Sequence, residues 1–432
     1  MAKSSITFSE LAEAFQSTIN SNSTIVTGMA TAEPNGFFND FSKSVLANNW
    51  KDLRVIGANP SRTWPCFTDP ATLKEVEYVV MFLTSAVRKL QTNGRFSYIP
   101  QHLSQWAKNI INSPKGIDVY WGTCSEPDAR GFVTLGLNNC YESEVLRAAK
   151  KVVLEVNKYV PRTFGATEVS LSEVDFFIRN DRPIAAIEPV QFGLTEAKIA
   201  AFVEGFISDG STLQLGIGGI PNAVGAALIH KKDLGIHTEM INDAMMKLYQ
   251  AGVITGACKT LWPRKMVGAF AYGSQTLYDF IHDNSLVEFH PASVVNNPYR
   301  IGRNHKMVSL NTAVEIDLTG QVCSESIGHV ELSGVGGAAE THMGAQMSVG
   351  GRAIVAIESS AKQGTISKIV TSLKPGAKVS ISRNDIDTVI TEFGVAELKG
   401  KTTAQRVRSM IAIAHPDQRD LLTHDAKQIG YL

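Results

Sequence analysis

The sequence predicts an α/β protein made of two tandem, related halves with mainly parallel sheets. Three observations lead there. The chain has 432 residues, 44% of them hydrophobic and 19% charged. That is longer than one hydrophobic core comfortably serves and apolar enough for two. Short apolar runs also recur without polar alternation: TIVTG, LRVIGA, EYVVMFL, IDVYWG and KKVVLEV in the first part, then TLQLG, KMVGAF, SLVEFH, RAIVAIE, KVSIS and DTVITEF in the second. Strands that stay apolar on both faces, interleaved with helical periodicity, belong to parallel sheets covered on both sides.

The third observation is an internal repeat. Residues 8–38 and 196–226 share an ordered pattern: a helical stretch (Leu11, Ala14, Phe15, Ile19; Ile199, Phe202, Val203, Ile207), a Ser-Thr pair, an apolar run, a glycine (Gly28; Gly216) and a Pro-Asn pair (Pro34-Asn35; Pro221-Asn222). Pro183, Pro189 and Gly193 break a polar stretch between the periodic regions, which reads as a linker. The predicted domains are therefore 1–188 and 189–432.

Composition excludes several classes. Lys plus Arg equals Asp plus Glu at 41 each, so no long-range field favours nucleic acid or an anionic membrane. Any anion must be held locally. MAKSSITFSELAEAF lacks the parts of a signal peptide, and no uncharged apolar stretch approaches the ~20 residues of a membrane helix. Five scattered cysteines (Cys66, Cys124, Cys140, Cys258, Cys323) show no C-x-x-C spacing. Neither a disulfide framework nor a metal site is indicated, and a cytoplasmic location is expected.

In open α/β folds ligands collect at the carboxyl ends of strands, and three such junctions stand out. Gly216-Ile217-Gly218-Gly219-Ile220-Pro221 follows an apolar run and opens a helix with Ile220, Val224, Ala227 and Leu228 on one face. Proline at 221 stands where a dinucleotide fingerprint needs its third glycine, so that reading fails. What remains is either an anion- or oxyanion-binding turn of bare backbone amides or an ordinary strand-to-helix turn. LGIHTEM places His237 and Glu239 two apart, so that both face one side of a strand end. Glu239 there can be nucleophile, base or ligand, or simply end a strand in solvent. The H-x-E pattern lacks the P-C-x-x-C that a zinc deaminase requires. The third junction, Ser333-Gly334-Val335-Gly336-Gly337-Ala338-Ala339-Glu340, offers further bare donors or a surface hairpin. After it, Ser359, Ser360, Lys362, Thr365, Ser367 and Lys368 form either a binding tail for phosphate or pantetheine amides or a solvated loop.

Over nearly its whole length the chain resembles the acetyl-CoA hydrolase/transferase family, in the branch of 4-hydroxybutyrate and butyrate:acetate CoA-transferases. The resemblance is carried by GSTLQLGIGGIPNAV, DLGIHTEM, GSQTLYDF, LNTAVEIDLTGQVCSESIG, SGVGGAAE, SSAKQGTIS, SRNDIDTVITEFGVAELKGK and IAHPDQRDLL. In the first half SYIPQHLS, CSEPDARGFVTLG and VNKYVPRTFG add to it. It implies two CoA-transferase-like halves with the active site between them and Glu239 as nucleophile. It further implies an oxyanion hole from the backbone amides of Ile217 and Gly337. Gly216, Gly218, Gly219, Asn296, Gly334, Gly336 and Lys362 are then assigned to CoA or substrate binding.

CoA is implied as a thioester substrate exchanged with short carboxylic acids such as acetate, with no tightly bound cofactor, and a homodimer or larger homo-oligomer is implied as the assembly. The implied chemistry runs through an acyl-glutamyl anhydride and a glutamyl-CoA thioester. A hydrolase on the same fold is the alternative, ahead of a non-catalytic CoA-binding protein and a sugar-phosphate isomerase. The chain departs from the branch at Ile241-Asn242-Asp243-Ala244, where members read close to SDG, at Glu340-Thr341, where an Asp-Phe-type pair is usual, and in Gly28-Met29-Ala30-Thr31-Ala32-Glu33-Pro34.

Overall fold

A computed structural model describes residues 6–93, 95–362 and 364–432. Two compact units emerge: residues 1–187 with 268–294, and residues 188–267 with 295–432. Each is built on strands of the kind the apolar runs predict. Residues 180–193 form no helix or strand, as the proline- and glycine-broken stretch requires.

In the first unit the strands are β1 (Thr24–Thr27), β2 (Leu53–Gly57), β3 (Val76–Val80), β4 (Phe96–Tyr98), β5 (Val119–Cys124), β6 (Lys151–Val156) and β7 (Phe176–Arg179). Their order is β7-β6-β5-β1-β2-β3-β4, and every neighbouring pair is parallel. β1 and β5 are buried along their whole length, the mark of a sheet covered on both faces. Helices α1 (Leu11–Thr18) and α2 (Asn35–Ala47) cover it through Phe15, Phe37 and Phe41. The Phe37 and Phe41 rings stack at 4.5 Å. Residues 268–294 group here through Val287–Phe289, which pairs in parallel with Phe164–Gly165.

In the second unit β8 (Thr212–Leu215), β9 (Gly235–His237), β10 (Met266–Gly268), β11 (Met307–Thr312), β12 (Arg352–Ala356), β13 (Thr388–Thr391) and β14 (Gly394–Glu397) lie in the order β14-β13-β12-β11-β8-β9-β10. Only the β13-β14 hairpin is antiparallel among the pairs with described register. The chain builds outward from β8 through β9 and β10, then returns to build β11, β12 and β13 on its other side. The ends of β8 and β11 therefore flank a topological switch point. Helix α3 (Leu194–Glu204) precedes β8, and α4 (Gly219–Ala227) follows it, so the helix–strand–glycine–helix pattern of α1, β1 and α2 recurs.

Two expectations need correction. KVSIS is not a strand: Ile381 makes an isolated bridge to Val322, and Val379 is 47% exposed, so no ladder extends the run. The central strand β11 was not anticipated, because its Ser309 and Asn311 interrupt the apolar pattern. Among the described residues no helix is long and apolar enough to cross a membrane.

Candidate active site

The site is assembled inside the second unit, where chain segments far apart in sequence leave the carboxyl ends of neighbouring strands. β9 stops at His237, and the chain bends at Glu239 before Met240–Ile241 pairs elsewhere. Glu239 and His237 do not act together. The His237 ring is 1% exposed; its Nε2 lies 2.9 Å from the Val295 carbonyl and its Nδ1 3.2 Å from Asn304 Nδ2. With a partner at each nitrogen, the imidazole is a packing and bonding element of the core.

Glu239 is held by one oxygen. Its Oε2 accepts the Gly337 backbone N–H at 2.9 Å and the Asn296 Nδ2 amide at 3.3 Å. No hydrogen bond among the described residues reaches Oε1. Gly337 is the N-cap of α5 (Ala338–Met347), so the partial positive charge of the helix start faces the carboxylate. Burial works against that and wins: desolvation raises the Glu239 carboxyl from 4.5 to about 7, while the Gly337 and Asn296 hydrogen bonds pull it down by less.

Any side chain at 337 would push into the Glu239–Asn296 contact. A Cβ there would lie 1.9 Å from Asn296 Nδ2 and 2.4 Å from Glu239 Oε2. Gly336, at φ +54°, turns the chain into the cap. Beneath this cap lies a buried polar network. Ser309 Oγ donates to Gln214 Oε1 (2.7 Å) and bonds Thr341 Oγ1 (3.1 Å), and Asn311 Nδ2 reaches Ser309 Oγ (3.0 Å) and Thr341 Oγ1 (3.3 Å). It ties the first turn of α5 to β8 and β11, and so fixes where the Gly337 amide points.

The first glycine turn is also joined to the loop carrying Glu239. On one side of Glu239, Thr238 Oγ1 donates to Met240 O (3.2 Å) and lies 3.5 Å from Leu215 O. On the other, Asn242 Nδ2 donates to Gly216 O at 2.8 Å. Ile217 follows, half exposed, and Gly218, at φ +117°, turns the chain into α4. A Cβ on Gly219 would meet Glu196 Oε1 at 2.9 Å.

The predicted residues thus separate. Glu239, Gly337 and Asn296 touch directly, and Gly216 is tied to the Glu239 loop through Asn242. Gly334 and Gly336 lie in the turn before α5. Lys362 is exposed, between the strands Ser360–Ala361 and Ile366–Ser367 of a small hairpin, and makes no hydrogen bond with Glu239. The sequence reading missed Asn242, Thr238 and the Gln214–Ser309–Asn311–Thr341 network. The one available signal was the departure at Ile241-Asn242-Asp243-Ala244.

Comparison with known proteins places the chain as a whole. The acetyl-CoA hydrolase/transferase N-terminal domain model matches residues 10–189, and the C-terminal domain model of the same family matches residues 273–426. The chain belongs to the acetyl-CoA hydrolase/transferase family. Within it, the chain is 39% identical over 417 residues to 4-hydroxybutyrate coenzyme A transferase of Clostridium kluyveri, a match that covers 96% of each protein. It is 41% identical over 349 residues, 81% of this chain and 80% of the relative, to succinyl-CoA:cyclohexane-1-carboxylate CoA transferase of Geobacter metallireducens. Among solved structures, RipA from Yersinia pestis aligns with a TM-score of 0.90 at 32% identity over 98% of this chain and 97% of RipA. Family membership agrees with the mainly parallel α/β architecture of both units.

Proposed function

We propose that this chain is a CoA-transferase that exchanges CoA between a short-chain acyl-CoA and a carboxylic acid, with Glu239 as the covalent nucleophile. The observation that carries this reading is the asymmetry of Glu239: Oε2 is anchored by two donors, and Oε1 receives none among the described residues. A carboxylate in bulk water is a weak nucleophile; one that is desolvated and aimed is a stronger one.

In the proposed sequence, Oε1 attacks the thioester carbonyl carbon, the C–S bond breaks, CoA leaves as thiolate, and an acyl-glutamyl anhydride forms. The thiolate then attacks the glutamyl carbon. Negative charge develops on Oε2, where the Gly337 N–H and Asn296 amide already point, and the original acid leaves carrying the former Oε1 oxygen. A second carboxylate attacks the glutamyl-CoA thioester and releases thiolate, which takes the new acyl group and frees Glu239. For the acyl-side tetrahedral intermediate the Ile217 N–H is the assigned donor, and it makes no hydrogen bond among the described residues that would compete. The anhydride is costly, so binding of the remote parts of CoA must offset its formation. The glycine turns at 216–219 and 334–337 are assigned to holding CoA or the acyl group. Lys362 is assigned to the CoA end, away from the chemistry.

The same proposal includes residues 1–188 and 189–432 as the two family halves, a homodimeric or larger assembly, and a cytoplasmic location. CoA serves as substrate, not as resident cofactor.

The test is mass spectrometry of the protein after brief incubation with acetyl-CoA. The expected result is CoA attached to the peptide containing Glu239, discharged by acetate. Steady CoA release without an adduct would make the chain a hydrolase, and a CoA adduct on a different peptide would remove Glu239 from the mechanism.

A further inference from the structure

We infer that Asn242 is a positioning residue that fixes the direction of the Ile217 amide, and so readies the donor for the acyl-side oxyanion. The inference rests on the transferase reading and goes beyond it.

Asn242 is 4% exposed, and its side chain spans two tasks. Its Oδ1 accepts the Met245 N–H at 3.2 Å and caps the helix Asp243–Gln250. Its Nδ2 donates to the Gly216 carbonyl at 2.8 Å. The carbonyl of Gly216 and the N–H of Ile217 belong to one peptide plane. No peptide bond among the described residues is cis, and in a trans peptide these two groups point in opposite directions. Gripping the carbonyl therefore aims the amide hydrogen away from Asn242.

The grip matters because of what flanks that plane. Rotation of the plane turns on the ψ of Gly216 and the φ of Ile217. Glycine on the carbonyl side relaxes the first of these restraints, so local sterics alone do not fix where the donor points. The Ile217 N–H has no acceptor among the described residues to hold it. Asn242 supplies the hold from the carbonyl side. Because it lies three residues beyond Glu239, it also ties the donor's orientation to the loop that carries the nucleophile.

Substitutions separate the grip from the cap. Asn242→Gly keeps a competent N-cap but has no donor for Gly216. Asn242→Ala loses both functions. The expected result is that both variants lose on the order of 10²-fold in kcat, the scale of a misplaced oxyanion donor, with KM for acyl-CoA changed by less than about threefold. Only Asn242→Ala should also lower the melting temperature. If Asn242→Gly turns over like wild type, or if kcat follows melting temperature across the set, the inference is overturned and Asn242 is a helix cap alone. Should the glycine variant not fold, Asn242→Asp takes its place: it caps, matches the size and has no N–H, and the same outcomes apply. The Glu239–CoA adduct separates the two levels. Wild-type protein without adduct defeats the transferase reading, whereas an adduct that forms at the wild-type rate in the glycine variant defeats only the role of Asn242.

Discussion

Each unit of this protein sets a desolvated glutamate beyond a strand of its sheet, one buried and one half-buried, and the two are treated differently. Glu33 follows β1 in the first unit; Glu239 follows β9 in the second. Desolvation lifts both carboxyls to about 7. Glu33, however, is bonded through both oxygens: Oε2 accepts the Ser61 N–H at 3.0 Å and the Ser61 hydroxyl, and Oε1 accepts Trp64 Nε1–H at 3.1 Å. Glu155 is saturated in the same way by Gly36 N–H, Phe37 N–H, Trp121 Nε1–H and Asn180 Nδ2, and burial raises it too. Burial and a raised pKa therefore do not distinguish a nucleophile. What differs among these three carboxylates is the unengaged oxygen of Glu239, and an oxygen already committed to a donor is less available to a carbonyl carbon.

The strongest way to break this comparison is to remove each carboxylate in turn. Glu239→Gln keeps the shape and should cost at least about 10⁴-fold in CoA exchange, since no other group forms the anhydride; residual exchange above that level would show that Glu239 is not the nucleophile. Gly337→Ala forces a methyl group into the Asn296–Glu239 contact and should lower kcat by about 10²-fold or more, measured against acetyl-CoA and acetate. Glu33→Gln should act on the fold instead. It leaves a mismatched donor in a buried cluster and should cost about 1–3 kcal/mol of unfolding free energy, with exchange retained within about tenfold when assayed well below the melting transition.

Smaller effects sharpen the comparison through pH. If the anion of Glu239 is the reactive form, kcat/KM should rise with pH and level off above about 7. Asn296→Ala removes a hydrogen bond that favours the anion, so the inflection should move upward; a downward shift would contradict the geometry. Stability should follow the opposite trend. Between the ordinary value of 4.5 and about 7 the folded chain keeps protons on Glu239 and Glu33 that the unfolded chain has released. These two groups therefore make stability fall as pH rises through that window, and chemical denaturation of Glu33→Gln and Glu239→Gln should each show a shallower slope.

Much of this was legible in the sequence, and what was not has a physical reason. β1, β5, β8 and β12 announced themselves because each is largely buried and carries a short apolar core, such as Ile25-Val26, Val119-Tyr120-Trp121 and Ala353-Ile354-Val355-Ala356. The glycine turns were legible because few residues but glycine adopt φ +117° or tolerate a carboxylate where Cβ would be, as at Gly218 and Gly337. β11 was hidden because Ser309 and Asn311 point into a polar network whose other members, Gln214 and Thr341, lie 95 and 32 residues from Ser309. The role of His237 was hidden for a similar reason: Val295 and Asn304 claim both ring nitrogens, and no local spacing reveals them. Which oxygen of Glu239 stays unengaged is likewise set by donors at 296 and 337. The family resemblance located Glu239; only the fold shows its asymmetry.

The grouping of residues 268–294 with residues 1–187 bears on how the protein is made. A ribosome finishes the first unit's main sheet early, but the segment that carries Val287–Phe289 emerges only after β8, β9 and β10 have been synthesised. The strand Phe164–Gly165 must wait for its partner across more than a hundred residues. Severing the gene at the linker would therefore not release two self-sufficient modules: a fragment ending at residue 187 would lack residues 268–294 of its own unit, and the complementary fragment would carry that segment without Phe164–Gly165.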